Sequence, residues 1–218
     1  MQNMMKRVYC LLAGVLFTIT LFAQSGEEKN TTLSVHAGPS WYMGNLIGIT
    51  NRADAYCDDL RKGITWDVSF FQLFGERKIK FGLGFLYQGS TYKNTHETGS
   101  DKIRMHYLAP QLGLAYVQQR YRIQLSGGVG YQLYHDKSTV YDRPRKVSMN
   151  KWAANLALSG EYYLARYWGI SGRLNYLASS SERYSVEYHD EHWNVEYPKT
   201  GSGAFGQLSL TFGLNYYF

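Results

Sequence analysis

Beyond residue 30, apolar side chains recur at every second position along most of the chain. Ile64, Trp66, Val68 and Phe70 alternate with Thr65, Asp67, Ser69 and Phe71. Ile79, Phe81, Leu83, Phe85 and Tyr87 alternate with Lys80, Gly82, Gly84, Leu86 and Gln88. The same rhythm runs through residues 121–133, 152–164, 168–176 and 208–218. A period of two belongs to a pleated strand with one apolar and one polar or small face. The pattern predicts eight strands, at about 32–43, 63–74, 79–92, 103–117, 121–135, 150–164, 168–178 and 204–218. Most exceed the ordinary strand of roughly 5–6 residues and reach the ~9–11 residues with which a tilted strand crosses a membrane. Strand four breaks the rhythm. Ile103, Met105 and Tyr107 share one parity, and Leu108, Leu112, Leu114 and Tyr116 the other, which predicts a bulge near Ala109-Pro110.

The connections alternate in length. Gly75–Lys78, Gln118–Arg120 and Ala165–Tyr167 are tight turns, whereas 44–62, 93–102, 136–149 and 179–203 are long. Short turns at one end and long loops at the other are the pattern of outer-membrane barrels. The expected fold is all-β: an eight-stranded antiparallel up-and-down transmembrane β-barrel. With the N-terminus in the periplasm, the long loops lie outside and the last strand brings Phe218 back to the periplasm.

If the apolar face meets lipid, the narrow lumen receives Asp67, Lys80, Arg122, Gln124, Asn155, Glu161, Arg173 and Asn175. Buried charges have to be paired and hydrogen-bonded, so Asp67 and Glu161 are expected to join Lys80, Arg122 and Arg173 in a network that fills an eight-stranded barrel. Gly82, Gly84, Gly128, Gly130 and Gly169 share that face and are expected to make room for the long side chains. Trp41, Tyr42, Tyr87, Tyr92, Tyr116, Tyr121, Tyr131, Tyr134, Tyr162, Tyr163, Trp168, Tyr216 and Tyr217 are expected in interfacial girdles. The alternative is a soluble periplasmic, lipocalin-like barrel, which turns the apolar face inward around a ligand.

The first residues read differently. Lys6 and Arg7 precede an uncharged apolar run from Val8 to Phe22, and a polar segment opens after Ala23. This is the layout of a secretory signal peptide cleaved after Ala23; the run of about 15 residues is short for a spanning helix, which needs roughly 20. Residues 1–23 are thus the expected signal, 24–31 a short periplasmic segment and 32–218 the barrel. The mature chain carries 21 basic against 17 acidic side chains, a mild +4 that does not suggest nucleic acid. Cys57 alone remains after cleavage, so no internal disulfide forms. Abundant tyrosine (20) and glycine (22) with scarce proline (4) suit twisted strands.

Tyr107-Leu108-Ala109-Pro110-Gln111-Leu112-Gly113-Leu114 resembles the Tyr-Leu-x-x-Pro-Leu-Leu strand motif of the small PorT-like, "porin family" outer-membrane barrels of Bacteroidetes. It departs from that motif at Gln111, where an apolar residue is common. Tyr216-Tyr217-Phe218 resembles the aromatic C-terminal signal read by barrel-assembly machinery, and Ala23-Gln24 resembles a cleavage junction of that group. The resemblance implies location and fold; the family is functionally mixed, and its "porin" label implies no conduction.

Candidate chemistry is sparse. His189-Asp190-Glu191-His192 is the densest set of metal ligands, but on a loop nothing fixes its geometry, and a solvated polar loop is the expectation. His106, His135, Asp136 and Ser138 lie near outer strand ends, where a lipid A acyl-modifying enzyme would place a Ser–His pair with an orienting acid. No spacing singles one out, and His36 and His106 are equally readable as strand residues satisfied by neighbours. The third long loop is basic (Lys137, Arg143, Arg145, Lys146 and Lys151 against Asp136 and Asp142), and the fourth is acidic (Glu182, Glu187, Asp190, Glu191 and Glu196 against Arg183 and Lys199). They are expected to pair over the mouth; the functional alternative has the basic loop gripping lipopolysaccharide phosphates or an acidic partner. Cys57 reads as an ordinary loop thiol. The expectation is a non-enzymatic barrel with no catalytic residue, cofactor or metal and no wide pore. Its partners would be outer-membrane lipid and lipopolysaccharide, the assembly machinery at Phe218 and an unidentified protein at the outer loops.

Overall fold

The computed structural model describes residues 30–44, 46, 54–97, 99–140, 143–181, 183–188, 191–196 and 203–218. The expected signal at 1–23 lies outside them. Ten strands and one short helix follow in the order β1 (Thr31–Gly44), α1 (Asp54–Leu60), β2 (Lys62–Phe74), β3 (Ile79–His96), β4 (Gly99–Val117), β5 (Tyr121–Val140), β6 (Arg143–Tyr163), β7 (Trp168–Ser181), β8 (Arg183–Tyr188), β9 (Glu191–Glu196) and β10 (Gly203–Tyr217). Each barrel strand pairs antiparallel with its chain neighbour from β1 through β7; β7 then pairs with β10, and β10 with β1. That ring of eight closes the sheet and leaves the barrel wall no free edge. β8 and β9 form a hairpin outside the ring, attached to the long-connection, or outer, end of β6 through Arg145↔Tyr188 to Ser148↔Ser185.

The alternation decides which way each side chain points. Ile64, Phe85, Leu112 and Trp152 are each about 60–70 % exposed, and so form part of an apolar outer wall. Asp67, Lys80, Arg122, Gln124, Asn155, Glu161, Arg173 and Asn175 are buried in the lumen, as their parity requires. An apolar exterior around a polar interior is the reverse of a soluble ligand-binding barrel. The stretch from Tyr121 to Tyr131, exposed at both ends, matches the ~9–11 residues of a membrane crossing. Trp41, Trp66, Tyr87, Tyr131, Trp152 and Tyr176 ring the outer end of this wall, and Tyr116, Tyr121, Tyr162 and Trp168 the turn end. Tyr42, Tyr92, Tyr134, Tyr163 and Tyr217 are not in the expected girdles: they have the opposite parity and lie buried in the lumen.

Strand four departs from expectation for the same reason. Its buried and exposed positions alternate without a break, and its register with β3 is constant from Ile79↔Tyr116 to His96↔Gly99. There is no bulge; only the pairing of Ala109–Gln111 with β5 lapses, beside the missing N–H of Pro110. Ile103, Met105 and Tyr107 are apolar residues on the inward face. The outer connections are also more ordered than loops. β3 and β4 extend to His96 and Gly99, and β5 and β6 to Val140 and Arg143, so most of 93–102 and 136–149 is hairpin ladder. At the other end, Gly75 turns the chain at φ +112°, a conformation that favours glycine.

Candidate functional site

The lumen is filled in layers. Near the turn end, Arg122 Nη2 donates to both Glu161 oxygens at 2.7 Å and to Thr32 Oγ1 at 3.0 Å, and Tyr217 OH donates to Glu161 Oε2 at 3.0 Å. Lys80 Nζ donates to Asn30 Oδ1 at 2.8 Å. Phe71, Leu73 and Ala115 form an apolar cluster at this end. Gly82 and Gly84 leave the space Phe71 occupies, Gly128 that of Gln111, Gly130 that of Ala109 and Gly169 that of Tyr217. The glycines therefore make room for Phe71, Gln111, Ala109 and Tyr217, none of which belongs to the expected set of charged and amide side chains at 67, 80, 122, 124, 155, 161, 173 and 175.

One layer up, Asp67 Oδ1 accepts from Arg173 Nη1 at 2.5 Å and lies 3.0 Å from His36 Nδ1. His36 Nε2 lies 2.6 Å from Ser171 Oγ, which donates to Asn215 Oδ1 at 3.0 Å. Ser171, His36 and Asp67 thus stand in the order of a nucleophile, base and orienting acid. The hydroxyl proton is directed at Asn215, however, and all three side chains are buried, so the arrangement fills the lumen as a hydrogen-bonded network. Above it, Asn155 joins Tyr107, Gln111 and Asn175, and Gln207 Nε2 donates to Thr65 and Ser90. The expected single central network is not formed: among the described residues Arg122–Glu161 and Arg173–Asp67–His36 are separate centres, and Lys80 bonds Asn30.

The outer mouth is closed by an apolar plug that the sequence did not reveal. Tyr42, Tyr92, Ile103, Met105, Tyr134, Val147, Met149 and Phe205 cluster inside the wall, and Tyr56 and Leu60 of α1 pack into the cluster from the β1–β2 connection. Cys57 packs against its edge. Lys151 is buried with its Nζ 3.2 Å from the centroid of the Phe205 ring, a cation–π contact. Over the plug, Tyr56 OH donates to Asp101 Oδ2 at 2.6 Å, and Arg145 Nη2 lies 3.4 Å from Asp101 and 3.5 Å from Asp136. Burial, then the neighbouring Asp101 charge, pushes the Asp136 carboxyl up to about 6 against the partial relief of Arg145.

Of the rim residues considered for acyl chemistry, Asp136 and Ser138 meet around Arg145, but neither histidine joins them. His106 is outward and bonds Tyr87 OH at 3.0 Å through Nδ1, His135 is outward and exposed, and Asp136 and Ser138 point inward. Ser138 Oγ accepts from Arg145 Nε at 2.8 Å. His189 and Asp190 lie outside the described residues; Glu191 and His192 are exposed on β9, and among the described residues no group of three metal-ligating side chains occurs. Basic and acidic loops meet at Lys146–Glu187, 2.9 Å, while Arg145 turns inward to Asp101 and Asp136.

A closed eight-stranded wall, apolar outside and ion-paired inside, defines an outer-membrane-type β-barrel. Solved structures agree on the fold. A major outer membrane protein of Thermus thermophilus superposes with a TM-score of 0.59 at 14 % identity, over 86 % of this chain and 99 % of that one. The outer-membrane protease OmpT of Escherichia coli does so with 0.51 at 11 % identity, over 87 % and 97 %. No family model and no curated protein matches the chain.

Proposed function

We propose that this chain is a non-conducting barrel of the Gram-negative outer membrane, with both termini periplasmic, that acts through its outer rim. The observation that carries this reading is the filled lumen: two buried ion-pair centres, an amide layer and an aromatic plug capped by α1. The apolar outer wall supports the membrane location, and the resemblance of residues 107–114 to small Bacteroidetes barrels and of 216–218 to the signal read by barrel-assembly machinery fits it. The reading is tested in planar lipid bilayers. The folded protein is expected to give no unitary current at high salt; a reproducible single-channel conductance overturns the filled-lumen reading.

A second reading, an enzyme that adds or removes lipid acyl chains, draws on the order Ser171–His36–Asp67 alone, against the donation of Ser171 to Asn215 and the burial of all three side chains. Mass spectrometry of lipid A from wild-type and deletion strains tests it. An unchanged acyl pattern removes it; a change abolished by Ser171→Ala establishes it.

A further inference from the structure

The outward parity that faces lipid along the wall continues above the outer aromatic ring, and there it becomes basic. On four neighbouring strands the pairing Tyr87↔Leu108↔Tyr131↔Trp152 marks the aromatic ring. Two rows further out, Arg104 and His135 face each other across β4 and β5. One row beyond, Lys93, Lys102, Lys137 and Lys146 stand directly opposite one another on β3, β4, β5 and β6. All four lysines and Arg104 are exposed on that side. Adjacent strands are ~4.8 Å apart, and like charges directly opposite destabilise a sheet. Lys146 is neutralised by Glu187 at 2.9 Å. Among the described residues, no ion pair joins Lys93, Lys102, Lys137 or Arg104 to a carboxylate. Among the described residues, the row therefore holds three mutually repelling cations, Lys93, Lys102 and Lys137, that no carboxylate pairs with.

We infer that this row is a docking surface for the phosphorylated saccharide heads of glycolipid in the surrounding outer leaflet. The inference rests on the membrane reading above and names the partner of that rim. Two features select this occupant. The row continues the lipid-facing side of the wall, so its nearest neighbours are the heads of lipids packed against the barrel. Its height selects a tall head: Lys137 is six residues beyond Tyr131, about 20 Å along the strand and about 15 Å above the ring for a tilted strand. A glycerophospholipid phosphate lies close to the ring; a phosphate carried on a saccharide core reaches the row. Lysine and arginine bind such phosphates as charge-assisted donors, and a bound lipid that prefers the folded state raises its stability.

The test uses the full mature chain, folded into phosphatidylcholine vesicles that contain rough lipopolysaccharide with a phosphorylated core, phosphatidylglycerol at equal charge, or neither with soluble inorganic phosphate. Unfolding temperature is followed by the heat-induced mobility shift of the barrel. The lipopolysaccharide vesicles are expected to raise it, and most of the rise is lost at high salt and in the combined variant Lys93→Gln, Lys102→Gln, Lys137→Gln, Arg104→Gln. A Lys→Arg replacement at 93, 102 and 137 keeps it. The glutamine variant folds at least as well as wild type in pure phosphatidylcholine, because it loses only repulsion. An equal rise with phosphatidylglycerol or free phosphate, or a full rise in the glutamine variant, overturns the inference. Failure to insert into any vesicle overturns the membrane reading and this inference with it; insertion without a lipopolysaccharide-specific rise overturns the inference alone.

Discussion

At the scale of single residues, the lumen concentrates the energetic risk. Arg122 and Glu161 are almost wholly buried and compensate one another. Removing one partner strands a charge, which costs about 3–5 kcal/mol, whereas replacing both with apolar side chains of similar size is close to neutral. Arg122→Met is therefore expected to lower the free energy of urea unfolding in detergent by about 3–5 kcal/mol, and Arg122→Met with Glu161→Leu by much less; equal losses show that the pair is not coupled. Asp136 makes the outer mouth pH-dependent. Its folded carboxyl titrates near 6, above its ordinary 3.8, so the folded state holds a proton that the unfolded chain releases between these values. Stability from this group is then highest below about 4, falls as pH rises to about 6, and is level above. Thermal unfolding between about pH 4 and 7 is expected to show this slope and Asp136→Asn to remove it. His36 shows what residue types alone conceal: its partners Asp67 and Ser171 are 31 and 135 positions away, so no local spacing announces the constellation.

At the scale of elements, α1 is the piece that alternation could not predict. Seven residues make barely two turns, too few for a helical period to stand out, and the helix holds its place by packing. Leu60 is fully buried in the plug. Leu60→Ala is expected to cost about 2–5 kcal/mol in local stability and to loosen α1 while the barrel stays folded. Cys57, half-buried on the same helix, reports it: labelling by an impermeant maleimide on intact cells is expected to be slow in wild type and faster in Leu60→Ala. Equal rates show that α1 does not cap the mouth. In β4 the difference between sequence pattern and structure has the opposite cause. Its alternation is perfect, but both faces carry apolar residues at the outer end, because that part of the lumen is the plug. Hydropathy records only that a position is apolar, whether lipid or a core receives it.

At the scale of the whole molecule, the wall has a graded exterior, from apolar band to aromatic ring to basic row, around a lumen graded from ion pairs to amides to aromatics. Closure makes both gradients possible: each strand contributes one residue in two to each, and a ring of eight is narrow enough for side chains to meet across it. The expected absence of current in bilayers and the expected lipid-specific stabilisation both belong to this scale, since one depends on all the inward layers and the other on four strands in register.

The sequence by itself determined the eight strands of the wall, the alternation of short and long connections and the inward face of Asp67, Lys80, Arg122, Glu161 and Arg173, because a period of two and a turn are local properties of the chain; the β8–β9 hairpin within 179–203 carries no such signal. Only the tertiary structure decided what depends on register. It split the charges into Arg122–Glu161 and Arg173–Asp67–His36, gave the glycine spaces to Phe71, Gln111, Ala109 and Tyr217, placed α1 in the mouth and set Lys93, Lys102, Lys137 and Lys146 side by side. Each of these joins residues on different strands, and a shift of register by one residue would send every such side chain to the other face.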